Sequence, residues 1–209
     1  RLIETIAEST VPKLKSGAIL ICLDPAAPLA GKLPESTDVS YFITHPCHPS
    51  VFKKESKPDA IQDRFGGIAE QPIVCTLLQG HEEDYKRGED IAKHMFSPVN
   101  RAHRISLEQM AVLEPAMAET VSITLLSAIR EAMDEAIRHG VPEAAARDFL
   151  LGHIGVELAI LFNEIDAQLS DGAKKAAKRG AERILQENWK DVFQKENIMK
   201  EIYEITRND

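Results

Sequence analysis

His45, Cys47 and His48 fall within one proline-braced stretch, His45-Pro-Cys-His-Pro49. Imidazole and thiol this close together admit several chemistries. A soft-ligand metal such as zinc would use them as donors, but no second Cys/His pair follows at ligand spacing. A catalytic thiol would need Cys47 held as thiolate. A rigid turn touching substrate would use His45 or His48 as acid, base or hydrogen-bond donor. The plain alternative is a structural loop. His153 and Glu157 form a second pair, at i and i+4 on one face of an expected helix. They read as a structural hydrogen-bonded pair or as the lining of a site. Glu108 and Glu119 are a third pair, eleven residues apart and about three α-helical turns, hence on one face; Glu114, between them, points elsewhere by the same geometry. Each of these glutamates is otherwise a capping or solvated side chain.

These groups need a frame. The longest element expected is a helix over 106–139. Ser106 and Gln109 make an S-x-x-Q capping box, Gly140 is a C-terminal stop, and apolar residues recur in steps of three and four from 110 to 136. Pro115 predicts a kink or break. Ahead of it lie a helix over 1–15 and a short apolar run at 18–23, which reads as a strand buried on both faces. A proline-rich loop, a strand at 39–44, a long irregular loop to 71 and a strand at 72–78 follow. A helix at 82–96 and a last strand at 102–105 complete this half. Long loops in compact domains tend to be functional. The chain after 106 is helical. The helix at 143–165 is apolar nearly all round, so it should be covered on every side. Gly152 and Gly155 should admit a close backbone. Amphipathic helices are expected at 171–186 and 190–207.

The fold class is therefore α/β, then all-α, with domains at 1–100 and 101–209. Alternating strands and helices imply a mainly parallel, doubly wound sheet, the half of a Rossmann-type domain. Such sheets bind ligands at the carboxyl ends of their strands. Two conspicuous sequences stand there: Asp24-Pro25, candidates for cofactor contact, and the His45–Pro49 turn.

With 209 residues and 44% hydrophobic content, the chain can bury a core. A net charge of −8 argues against a nucleic-acid binder. Lys174, Lys175, Lys178 and Arg179 form the basic cluster and read as a solvated helix face. Three scattered cysteines imply no disulfide framework and a reducing, cytoplasmic setting. No apolar run approaches the length of a membrane span. His81, His94, His103 and His139 sit in charged contexts and read as surface residues. The chain opens on Arg1 within an expected helix, so further residues are expected upstream.

The order of parts resembles the 6-phosphogluconate dehydrogenase and β-hydroxyacid dehydrogenase superfamily, with features similar to ketol-acid reductoisomerases. YFITHPCHPSVF at 41–52 resembles the strand and turn beside the reductoisomerase site. RAHRISLEQMAVLEP resembles the entry to the helical domain, where a Glu-Gln supplies a metal-binding Glu; Glu108-Gln109 takes that place. HGVPEAAARDF resembles the loop between the first core helices, and His153 matches the central-helix His. The D-apionate oxidoisomerase-like branch is the nearest in this pattern. Two departures stand out. The Gly-rich dinucleotide turn is not in the chain, and the carboxylates that flank the central His fall on Leu150 and Ile154. The resemblance implies NAD- or NADP-linked oxidation of a sugar-derived hydroxy acid, with or without an isomerising step. It also implies one divalent metal such as Mg at Glu108, or none, and a homodimer formed through the helical domain. His45, His48, Glu108, Glu119, His153 and Glu157 are the catalytic candidates. The rival function is a non-catalytic dimerisation or ligand-binding module.

Overall fold

The computed structural model describes residues 2–206. Arg1 and Arg207, at the outer ends of the expected first and last helices, lie outside the described residues. In chain order the elements are helix α1 (Leu2–Thr10) with a 3-10 turn at Val11–Lys13, strand β1 (Ala18–Cys22), α2 (Ala26–Leu29), β2 (Val39–Pro46), α3 (Pro58–Gln62), β3 (Gln71–Gln79), α4 (Glu82–Met95) and β4 (Val99–Arg104). Then come α5 (Leu107–Ala111), a π-helix (Val112–Ile123), α6 (Thr124–Arg138), α7 (Glu143–Leu161), α8 (Asp171–Ile184), a 3-10 turn (Trp189–Phe193) and α9 (Lys195–Thr206). The chain forms two compact units. One takes in the chain up to Ala116 and again from Lys195; the other is Met117–Gln194. The division thus falls inside the long helix rather than at residue 100. The last helix also returns to the first unit: its apolar face buries Ile198 and Ile202, and it packs on α2.

In the first unit the sheet order is β1-β2-β3-β4. β1 and β2 run parallel, with Cys22 opposite Ile43; β2 and β3 are antiparallel; β3 and β4 are parallel again. The sheet is mixed, where the sequence predicted a mainly parallel one. The 47–70 connection carries only the short α3 and no full crossover helix, so it turns back as an antiparallel return. The double burial expected of 18–23 belongs instead to β2, buried throughout Val39–Thr44. β1 is half-buried because it is the sheet's edge and pairs only with β2 among the described residues.

β2 sends alternate side chains to opposite faces. Val39 and Tyr41 pack with Ala7 and Val11 of the N-terminal helix and its 3-10 turn, and Ile43 packs with Cys22, Val74, Leu107 and Met110. Phe42 lies on the other face with Ile73, Cys75, Tyr85 and Ala92, under α4. α4 comes close because Gly88 has no side chain: a Cβ there would lie 2.5 Å from the Phe42 ring. Both faces are covered, which is the layering of a Rossmann-type half.

The expected capping box is present. The Gln109 N–H donates to Ser106 Oγ at 3.2 Å, and the Ser106 N–H donates to Gln109 Oε1 at 2.8 Å. From there a continuous helical stretch runs to Arg138. Pro115 does not break it. Proline has no N–H to donate and its ring crowds the carbonyl one turn back, and the helix responds by widening to π over Val112–Ile123. Leu107–Arg138 is long and apolar enough to cross a membrane by length and composition alone, which corrects the expectation that no such stretch exists.

In the second unit α6 packs on α7. The chain's own elements do not cover 143–165 on every side. Phe149 is 69% exposed and Val156 55%, and Leu151, Leu161 and Phe162 are also exposed. Nothing lies within 4 Å of where a Cβ would stand on Gly152 or Gly155. An apolar helix in so small a unit has too little chain to cover all its faces. The Lys174–Arg179 cluster lies on α8 and is exposed, as a solvated face should be.

Candidate functional site

Parallel pairing of β1 and β2 brings their carboxyl ends side by side, and with them the two conspicuous sequences. His45 Nδ1 lies 2.8 Å from the Leu23 carbonyl oxygen at the end of β1. Asp24 follows directly. Its carboxylate accepts from the Ala26 N–H at 2.6 Å, starting α2, and Pro25 is fully buried. Asp24 and Pro25 therefore build the turn that presents the Leu23 carbonyl.

His48 stands in the left-handed region, φ 61°, an uncommon backbone for a residue with a side chain. Its ring meets the His45 ring edge-on at 6.3 Å between centroids. On its other side it meets Phe65 edge-on at 5.8 Å, while His48 Nδ1 lies 3.1 Å from the Phe65 carbonyl oxygen. Phe65 is itself 80% exposed. The long loop is ordered by Asp63. Its two carboxylate oxygens accept the N–H groups of Phe65, Gly66, Ile68 and Ala69 at 2.9–3.1 Å. The Ala69 N–H, with those of Gly66, Ile68 and Phe65, outweighs desolvation and holds the Asp63 carboxyl down to about 2. Gly66 stands at φ 97°, a backbone that strains any residue with a side chain, and a Cβ there would also meet the end of the Gln71 side chain.

The π-helix adds a group the sequence placed elsewhere. Glu114 Oε1 lies 3.5 Å from His45 Nδ1; the two side chains are 15% and 32% exposed. α-Helical spacing turned Glu114 away from Glu108 and Glu119, but that geometry does not hold across twelve π-helical residues. The same change removes the reason for placing Glu108 and Glu119 on one face. Glu119 is exposed and belongs to the second unit. Phe65 and Asp63 were also missed; an Asp three residues before Gly66-Gly67 was the available signal.

The remaining candidates have other neighbours. Glu108 accepts a hydrogen bond from Ser106 Oγ at 2.8 Å. Its own backbone N–H, the Ser106 hydroxyl and Lys195 together hold its carboxyl below the usual range, as for a first-turn capping group. The structure shows it as a cap, and a lysine nearby does not suit a metal ligand. No cluster of three or more His, Cys, Asp or Glu able to hold a metal occurs among the described residues. The His45–His48 turn and Glu108 therefore do not fit a divalent ion on their own. The Cys47 side chain is exposed, and partial desolvation by its neighbours raises its thiol, which does not favour the catalytic-thiolate reading. His153 Nδ1 lies 2.8 Å from the Phe149 carbonyl oxygen, and its ring stacks on Phe149 at 4.0 Å. This side chain is thus engaged by the residue one turn back, and the structural bond expected with Glu157 is not what holds it. Both are exposed on α7. His81, His94, His103 and His139 are exposed, as expected.

Comparison with known proteins gives this arrangement a family. Residues 53–206 match the family described as phosphogluconate dehydrogenase (decarboxylating) C-term. A D-apionate oxidoisomerase of Rhizobium rhizogenes is 48% identical over 202 residues, 96% of this chain and 74% of that protein. A crystal structure of a semialdehyde dehydrogenase NAD-binding protein from Cupriavidus necator, in complex with calcium and NAD, superposes with a TM-score of 0.96 at 46% identity, covering 98% of this chain and 75% of that one. An NADH-preferring ketol-acid reductoisomerase from an uncultured archaean superposes at TM-score 0.67 with 14% identity, over 98% of this chain and 61% of that one, a likeness of fold. With the Rossmann-type half-sheet, the helical half and the His-bearing turn in one order, the chain belongs to the phosphogluconate dehydrogenase C-terminal family, in the group that holds the D-apionate oxidoisomerases.

Proposed function

We propose that this chain serves an NAD-dependent oxidoisomerase acting on D-apionate or a closely similar sugar-derived hydroxy acid. The observation that carries the reading is the histidine cluster at the carboxyl ends of β1 and β2, in a chain 48% identical to a D-apionate oxidoisomerase. Ligands of doubly wound sheets sit at such ends. No Gly-x-Gly-x-x-Gly turn occurs within the chain, so its share of a dinucleotide site is the β1–β2 end, whose turn Asp24 and the buried Pro25 shape. When bound, NAD supplies a hydride acceptor.

The chain's own residues move the proton. The Leu23 carbonyl can only accept, so His45 Nδ1 carries hydrogen and Nε2 is left with its lone pair. Nε2 takes the proton of the substrate hydroxyl while the carbon beneath it loses hydride; O–H and C–H become C=O, and the proton stays on His45. His48, fixed between His45 and Phe65 with its Nδ1 hydrogen on the Phe65 carbonyl, presents Nε2 as an acceptor to a substrate hydroxyl and donates from it only as the imidazolium. An isomerising step needs a donor or cation on the carbonyl oxygen. No step is assigned to a metal, because the described residues form no cluster for one.

The exposed apolar face of α7 supports pairing with a second copy, which would put His153 and Glu157 at the shared surface. That face also supports the rival reading, a dimerisation or ligand-binding module without chemistry. The purified protein with D-apionate and NAD decides between them by NADH absorbance. Turnover with D-apionate, and none with lactate, is the expected result. No NADH above the substrate-free control would leave the module.

A further inference from the structure

We propose that Glu114 is the positioning residue for His45, acting through Nδ1 to hold the imidazole with Nε2 presented to substrate and to stabilise it when it takes a proton. The proposal rests on the reading of His45 as the base above. Its basis is geometric. One nitrogen, His45 Nδ1, faces two acceptors from two different elements, the Leu23 carbonyl at 2.8 Å and Glu114 Oε1 at 3.5 Å. Neither can donate to it when Glu114 is ionised, so the Nδ1–H form is the one both favour. A carbonyl alone would fix the tautomer. A carboxylate adds a charge that grows in value when the ring becomes imidazolium, because the pair is half-buried and less screened than a surface pair.

The second support is where Glu114 stands. It lies in the π-helix, one residue before the buried Pro115. π-Helical turns are rare and recur at functional sites. Leu107 and Met110 pin the start of this helix to Ile43 and Val74 on the sheet. Glu114 thus reaches the strand end from a fixed base rather than from a mobile loop. The His48 ring lies beside His45 at 6.3 Å between centroids, and along the chain Asp24 follows the Leu23 carbonyl and Cys47 lies two residues after His45.

The test follows His45 by long-range 1H–15N spectra of the full chain, its signals assigned by their loss in His45→Asn. The wild type should show the Nδ1–H form. Glu114→Gln should lower the pH at which His45 titrates, and Glu114→Asp, which keeps the charge one methylene back, should lie between. In the assay, Glu114→Gln should lose at least about tenfold in kcat with KM within about twofold, and the acidic limb of kcat/KM should move to lower pH. An Nε2–H form in the wild type, or a His45 titration that is unmoved in both variants, overturns the proposal. These spectra need no turnover, so a protein inactive on D-apionate would sink the proposed function and still leave Glu114 to be judged.

Discussion

A histidine becomes useful as a base when one ring nitrogen is committed and the other is left to react. His45 meets that condition through the Leu23 carbonyl. His48 is held by backbone geometry and the Phe65 carbonyl instead. The second of these depends on Asp63, whose four accepted N–H bonds shape residues 63–69. The pH dependence follows from the direction of its shift. The carboxyl is at about 2 in the folded chain, below the ordinary value near 3.9 in an unfolded one. Asp63 therefore contributes order fully above that ordinary value and loses it as pH falls through about 2. Amide exchange of the loop at about pH 3 should still show protection in the wild type. Asp63→Asn should remove that protection at any pH, since an amide offers one acceptor oxygen in place of two. Equal exchange in the two proteins would show that the loop is held by something else.

Between elements, close approach decides the fit. α4 lies against β2 at Gly88, and Phe42 beneath it is fully buried and touches Tyr85 at 5.7 Å between centroids. In an isolated helix, alanine at position 88 would be favoured by about 1 kcal/mol. Here its methyl has no space, and overpacking in a filled core costs about 1–3 kcal/mol. Gly88→Ala should therefore lower the urea midpoint despite better helix propensity; a raised midpoint would mean that α4 can lift off the sheet at little cost. The long helix shows the opposite accommodation. A proline that would kink an α-helix is taken up by a π segment, and the widened turn carries Glu114 to His45.

At the scale of the whole molecule, the second unit carries the unpaired surface. Ala145, Asp148, Phe149, Gly152, His153 and Val156 line a largely apolar groove of about 510 Å³ on α7. A two-fold partner is the commonest way such a face is buried, in interfaces of about 2,000 Å² or more when obligate. Sedimentation equilibrium at low micromolar concentration should give twice the monomer mass, and Val156→Asp should give a monomer with its helical circular dichroism retained. A monomeric wild type would remove the second-copy role of His153 and Glu157.

The sequence by itself determined what depends on neighbours along the chain. The capping box at Ser106 and Gln109, the strands around 18–23, 39–44 and 72–78, and the α/β-to-α order were legible because period and turn chemistry are local. The His45-Pro-Cys-His-Pro49 turn was marked for the same reason, and placing it beside Asp24 needed only the rule that ligands gather at strand ends. Tertiary structure decided the rest. The antiparallel return of β3 depends on how a 24-residue connection folds back, which no local pattern states. Glu108 is a capping carboxylate through its bond to Ser106 in the first turn, while Glu114 became the neighbour of His45 where the helix left α geometry after Ala111, which voided any count in steps of 3.6. Burial of α7 could not be read from its apolar composition either: composition records that a face must be covered, while only the packed chain records that its own helices leave it exposed.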